Sequence, residues 1–223
     1  MDNNIQKSYI DLGLNNVSRE TCVYLEKFID LVIKENKVVN LISRENENKE
    51  YIRKRHIIDS MQIIDFIDLN TKKIIDFGSG SGFPSMVLAI IMKIQSKKTK
   101  IEMYEKSYKK CKFLEKVSKE LNLNTEVIQK NIFEEKDLSE IVITSRAFKP
   151  LPIILDVVEK NYKNYKNIIL FMGKSGKEIL TETLKKWKID YEAKDSITSN
   201  HSFILNIKQN KEKIPILKKN ILV

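Results

Sequence analysis

Ile74-Ile75-Asp76-Phe77-Gly78-Ser79-Gly80-Ser81-Gly82-Phe83-Pro84 reads as a buried strand that runs into a glycine turn and opens a helix. That arrangement cradles nucleotide cofactors at the edge of a parallel sheet. Three glycines alternate here out of six in the whole chain, more than an ordinary tight turn needs. A dinucleotide fingerprint wants its third glycine where this chain has Phe83, so the spacing favours S-adenosylmethionine over NAD. Adenosylmethionine has no pyrophosphate to lay on a helix N-terminus, but its methionyl ammonium and carboxylate must pass close to backbone, which glycine permits. Gly78, Gly80 and Gly82 are therefore expected to line the cofactor, with Asp76 serving the ammonium directly or through water.

Outward from this stretch, strands and helices alternate. Strands are expected at Ile74 to Phe77, Ile101 to Tyr104, Glu126 to Gln129, Ile141 to Ser145 and Ile168 to Met172. Helices are expected from Pro84, over Lys109 to Leu121, from Leu151 and over Lys177 to Trp187. Such alternation predicts an α/β fold with a mainly parallel, Rossmann-like sheet covered by helices on both faces. Short strands at Ile189 to Ala193 and Phe203 to Ile207 form a hairpin-like unit that adds an antiparallel edge. Two helices precede the sheet: Ser18 to Glu35, with Ser18 as N-cap, and Lys49 to Asp68. The expected division is a helical extension over residues 1–70, a cofactor domain over 71–210 and a tail over 211–223 that is strand-like or frayed.

A chain of 223 residues can bury one full α/β core, and its longest strictly apolar run, Met86 to Met92, is too short to span a bilayer. The N-terminus carries no export signal, so a cytoplasmic protein is expected. Cys22 and Cys111 lack zinc-ligand spacing and read as reduced packing thiols; with only two histidines, no metal is expected. Forty Lys and Arg against thirty Asp and Glu give a formal charge of +10, a balance suited to meeting phosphate backbones.

Ligands in an open α/β sheet bind at the carboxyl ends of the strands. Glu105, directly after the second strand, is placed to accept both ribose hydroxyls of an adenosyl group. Lys130-Asn131-Ile132-Phe133 offers backbone amides and apolar surface to an adenine ring. The fourth strand ends in Thr144-Ser145-Arg146-Ala147-Phe148, without the Asn/Asp-Pro-Pro-aromatic run of amine methylation or the cysteine of pyrimidine carbon methylation. An acceptor that is already nucleophilic, such as guanine ring nitrogen 7, needs orientation rather than a base, and the planar fork of Arg146 suits that role. Gly173-Lys174-Ser175 is no P-loop, because the leading glycine would fall at Ile168. Arg55, His56 and Asp59 share one side of the second helix, as a polar cluster facing the cofactor domain.

Asn36-Lys37 with Asn40-Leu41, Arg55-His56-Ile57-Ile58-Asp59-Ser60, Asp76 to Pro84, Glu105 with Lys109-Lys110 and Phe113-Leu114, and Thr144-Ser145-Arg146-Ala147 occur in that order. In combination they resemble the bacterial 16S ribosomal RNA guanine-N(7) methyltransferase family, also called glucose-inhibited division protein B. The resemblance implies a class I methyltransferase domain behind a helical extension, with S-adenosylmethionine as cofactor and 16S ribosomal RNA or the small subunit as partner. It further implies that Gly78, Phe83, Ile132, Phe133 and Arg146 line the cofactor site. Arg53, Arg55, His56, Lys109, Lys110 and Lys174 are the candidate RNA contacts, and a monomer is expected. The family commonly has Asp at Glu105, Ala-Glu at Ile132-Phe133 and Leu-Lys-Gly at Met172-Gly173-Lys174. A small-molecule methyltransferase and a non-catalytic RNA-binding protein with a relic cofactor fold are the alternatives. Intact Asp76, glycine loop and Glu105 argue against the relic.

Overall fold

Arg19–Asn36 folds as α2 because Cys22, Leu25, Phe28, Ile29 and Val32 form one buried stripe, while Ser18 Oγ accepts the Thr21 amide at 3.1 Å and caps the first turn. The computed structural model describes residues 3–12, 17–68, 70–95, 98–134, 139–162, 164–209 and 217–218. A short helix, α1 (Asn3–Ile10), precedes α2. The second expected helix is not one regular element. It begins as α3 (Lys49–Ile52), widens to a π-helical segment over Arg53–Ile58, resumes as α4 (Asp59–Met61) and tightens to a 3₁₀ turn at Gln62–Phe66. Its polar groups have tertiary partners: the Arg55 carbonyl accepts from Arg146, and Asp59 accepts from Ser196 and Thr198. π-Segments of this kind concentrate at functional sites.

The cofactor half follows the expected alternation. Its elements are β1 (Lys73–Phe77), α5 (Ser85–Ile94), β2 (Lys100–Tyr104), α6 (Tyr108–Glu120), β3 (Thr125–Ile128), β4 (Ser139–Arg146), α7 (Leu151–Asn161), β5 (Asn164–Met172) and α8 (Gly176–Lys186). After α8 come β6 (Trp187–Lys188), β7 (Asp190–Asp195), β8 (Phe203–Lys208) and β9 (Leu217–Lys218). Seven strands form one sheet in the order β3-β2-β1-β4-β5-β8-β7. The first five strands in that order run parallel, and β8 and β7 add the antiparallel end. The strand order reverses between β1 and β4, which places a crevice beyond the carboxyl end of β1. Trp187, expected to end α8, is extended instead and pairs with Lys218. The rest of the tail lies outside the described residues.

Alternation along β1 sends Ile74 to one sheet face and Ile75 and Phe77 to the other. Ile74 joins Phe28 and Ile29 of α2, Val87 and Ile90 of α5 and Phe113 of α6. Ile75 and Phe77 join Leu155 and Val158 of α7, with Trp187 and Leu205. Residues ahead of β1 thus supply part of the layer that covers one face of the sheet, and this brings the irregular helical segment against the ends of β1 and β4.

Candidate active site

The crevice opens into a cavity of about 480 Å³, lined by the glycine loop, the ends of β2, β3 and β4, and Leu41, Ile42 and His56 from the helical extension. That volume lies within the range of roughly 300–1,000 Å³ that holds small ligands and cofactors. Its floor is backbone. The Gly78 and Ser79 amides both donate to the Tyr104 carbonyl, at 2.9 and 3.0 Å, so the loop is pinned to the neighbouring strand end. Gly78 has φ +72°, and a Cβ there would overlap the ring of Phe148. Gly80 has φ +54°, and the nearest atom to a Cβ built on it is a backbone oxygen 3.8 Å away, so its open side belongs to the cavity. Gly82 serves packing instead, since a Cβ would come within 2.7 Å of Met86 and 3.1 Å of Leu114.

Glu105 holds the loop from the other side. Its Oε2 accepts the Gly80 amide at 2.9 Å, and its Oε1 accepts the Lys106 and Ser107 amides, both at 2.8 Å. A carboxylate offers about four lone-pair directions, so one remains for a ligand hydroxyl rather than the two expected from the sequence. Asp76 does not reach the cavity. It is buried, with Oδ1 accepting from Thr144 at 2.9 Å and Oδ2 from Ser85 at 2.8 Å. Burial, the largest influence, raises its carboxyl above the ordinary range. It therefore ties β1, β4 and α5 together behind the loop, and no direct ammonium contact is open to it.

Arg146 crosses from the end of β4 to the helical extension. Its Nη2 donates to the Arg55 carbonyl at 2.8 Å and lies 3.4 Å from Asp59 Oδ2, with the guanidinium carbon 5.6 Å from the centre of the Phe171 ring. Its Nη1 is buried without a hydrogen-bond partner among the described residues, although Arg146 lines the cavity. Ala147 follows with φ +52°, a left-handed conformation that costs a non-glycine residue roughly 1–3 kcal/mol. This turn carries the chain out of β4 into Phe148, the ring beneath Gly78.

His56 stacks on Phe83 at 4.8 Å and meets Tyr51 edge-on at 6.0 Å. Burial first, then the charges of Arg146 and Arg55, push its pKa down to about 3, so it is neutral and offers RNA no positive charge. Phe83 is itself wedged between His56 and Phe28.

The other candidate RNA contacts separate into two groups. Arg53 is an internal tie, donating to both oxygens of buried Glu26 at 2.6 and 2.7 Å, and Arg55 donates to the Thr198 carbonyl at 2.7 Å. Lys110 lines the cavity, whereas Lys109 and Lys174 are exposed away from its lining. Ile132 lines it too, but Phe133 stands behind, 6.1 Å from the Phe148 ring. Sequence reasoning passed over Leu41, Ile42, Tyr104 and Lys106 as lining residues. A local signal for the first two existed in Asn36, whose Oδ1 accepts the Leu41 and Ile42 amides at 2.8 and 3.0 Å and folds that turn over the cavity.

A family model described as rRNA small subunit methyltransferase G matches residues 21–208. The chain belongs to that family. A ribosomal RNA small subunit methyltransferase G from Pelagibacter ubique is 52% identical over 209 residues, covering 94% of this chain and 98% of the relative. Its counterpart from Rickettsia bellii is 38% identical over 192 residues, covering 86% and 95%. Among solved structures, the methyltransferase domain of METTL16 superposes with a TM-score of 0.53 at 14% identity, covering 82% of this chain and 79% of that one. This likeness concerns the fold alone. In this methyltransferase G family member, the stretch that faces the glycine loop comes from the helical extension rather than from the sheet.

Proposed function

We propose that this chain is an S-adenosylmethionine-dependent methyltransferase that modifies guanine ring nitrogen 7 in 16S ribosomal RNA of the small subunit. Family membership supports the reaction class and the RNA, and the cavity supports the choice of acceptor. The observation that carries it is the absence of a poised base among the described cavity residues. Glu105 is committed to three backbone amides, and His56 is held with little affinity for a proton. An acceptor that must lose a proton first would be poorly served here. Guanine nitrogen 7 carries an exposed lone pair and needs only to be positioned.

The residues present fit the cofactor. The open side of Gly80 admits a close approach to backbone, Glu105 keeps one accepting direction, and Tyr104, Ile132 and Phe148 supply apolar surface. Bound S-adenosylmethionine supplies an electrophilic methyl group. Arg146, which lines the cavity, orients the acceptor or the cofactor carboxylate. Lys106, Lys110 and Lys130 line the same cavity and place positive charge where a phosphate backbone would arrive. Asp76 and Gly82 act behind this layer, by holding the loop and the wall, while Phe83, wedged between His56 and Phe28, is itself part of the lining. Residues 1–70 serve as the extension, 71–210 as the cofactor domain and 211–223 as the tail, in a cytoplasmic monomer. Among the described residues no helix is long and apolar enough to cross a membrane.

Transfer of labelled methyl to unmodified small-subunit RNA, followed by nucleoside analysis, tests this reading. The expected product is 7-methylguanosine in 16S RNA. Label in a different nucleoside, or none in RNA, overturns it.

A further inference from the structure

Asp59 opens α4 directly after the π-helical segment and is buried at 7% exposure, yet nothing in its local sequence requires an acid there. Its Oδ1 accepts from Ser196 Oγ at 3.0 Å, Thr198 Oγ1 at 2.9 Å and Gln62 Nε2 at 3.1 Å. Its Oδ2 faces Arg146 at 3.4 Å. The donors Ser196 and Thr198 belong to the turn between β7 and β8. That turn is fixed twice more, by the Ile197 amide donating to Gln62 Oε1 at 2.9 Å and by Arg55 donating to the Thr198 carbonyl at 2.7 Å. A carboxylate with one oxygen saturated and the other directed at a cation is held in a single orientation.

We propose that Asp59 is a positioning residue for methyl transfer: clamped by Ser196, Thr198 and Gln62, it fixes the guanidinium fork of Arg146 in one orientation beside the cavity. This rests on the proposed function, in which Arg146 orients the reacting groups. The Arg55 carbonyl alone would leave the guanidinium one contact on Nη2 and freedom to swing. Asp59 also offsets the repulsion between the neighbouring cations Arg55 and Arg146. The turn between β7 and β8, far from the glycine loop in sequence, thereby becomes part of the support for the reacting centre.

Asp59→Asn separates positioning from folding. The amide oxygen can still take the Oδ1 bonds, while its NH₂ group turns a donor toward the guanidinium, which has only donors. In single-turnover methylation of small-subunit RNA at saturating cofactor, Asp59→Asn is expected to lose about tenfold or more in rate, as misplacement of a reacting group does. Michaelis constants for RNA and cofactor should stay within about twofold. In an Arg146→Ala background the same substitution should change the rate by no more than about twofold, because groups that act as a unit are not additive. A wild-type rate for Asp59→Asn, or an equal loss in both backgrounds, overturns the inference. Thr198→Val provides a second arm should Asp59→Asn fail to fold. It removes one clamp and keeps the charge, and its expected loss of about threefold must also vanish beside Arg146→Ala. A loss that persists there overturns the proposal. Wild-type protein in the same assay tells the two readings apart: no transfer to RNA removes the proposed function, whereas transfer with an unaffected Asp59→Asn removes only the positioning role.

Discussion

The glycine loop with Glu105 and the opposite wall with Arg146 enclose one cavity, but they are held in different ways. Gly80 and Glu105 are 25 residues apart, and every contact that fixes the loop to β2 and to the head of α6 is made to backbone. The Arg146 side chain bonds to the Arg55 carbonyl across 91 residues, and the Thr198 and Asp59 side chains bond to each other across 139. The first wall depends on backbone conformations that few residues other than glycine adopt. The second depends on several elements arriving together. Substitutions in the first should therefore act on cofactor affinity, and substitutions in the second on the rate of the chemical step.

Gly80→Val should show the largest effect. A branched side chain at φ +54° is strained, and its methyl groups would occupy the cavity itself. Adenosylhomocysteine affinity by isothermal titration should fall at least about 100-fold, roughly 2.7 kcal/mol. Wild-type affinity in a folded Gly80→Val protein would break the comparison. Arg146→Ala should instead lose about 100-fold in single-turnover rate with a smaller change in cofactor affinity, and Arg146→Lys should recover only part of it, because an ammonium lacks the planar fork. The wild-type rate should be nearly flat in pH through the neutral range; a tenfold rise per pH unit would mean an acceptor that must first lose a proton.

Salt sharpens the contrast between cofactor and RNA. If Lys106, Lys110 and Lys130 each neutralise a phosphate of single-stranded RNA, affinity should fall about 20-fold between about 50 and 200 mM salt. Cofactor affinity should move less than about twofold over the same range, since it rests on backbone hydrogen bonds and apolar contact. Equal salt slopes for both ligands would remove the basic rim from RNA binding.

The smallest effect concerns His56 and stability. Its pKa is lowered in the folded protein to about 3 from an ordinary value of 6.5, so the unfolded chain binds a proton that the folded chain refuses. Stability contributed by the neutral ring is complete above 6.5 and is lost as pH falls from there toward 3, by up to about 1.4 kcal/mol per pH unit. Denaturant unfolding at mildly acid and neutral pH should find His56→Phe less sensitive to acid than wild type. An identical pH dependence would mean that this ring takes up its proton as readily in the folded state.

The alternation of β1 to α8 and the glycine loop could be read directly, because buried parallel strands are mostly apolar and tight turns at positive φ favour glycine. Local patterning also placed Ser18 at its helix start. It could not foresee that Lys49 to Phe66 would widen and tighten along its length, because an i, i+3, i+4 pattern reports which face is buried and not what the polar face will bond. Trp187 was misassigned for a related reason: its extended backbone is paired with Lys218, a partner thirty-one residues on and outside any local window.

The chemical groups available to the site were determined by the sequence alone: an acid after β2, an arginine after β4, no cysteine and no acid-proline-proline run at that strand end. Their availability was decided only in three dimensions. Asp76 is withdrawn behind the loop by Thr144 and Ser85, Glu105 is mostly occupied by amides, His56 is neutral because it is buried beside two arginines, and Arg146 has Nη2 taken by Asp59 and the Arg55 carbonyl while Nη1 is buried without a partner among the described residues. Residue identity sets which bonds a group can form, but desolvation and competition among partners set which bonds remain open, and both depend on elements that meet only when the chain has folded.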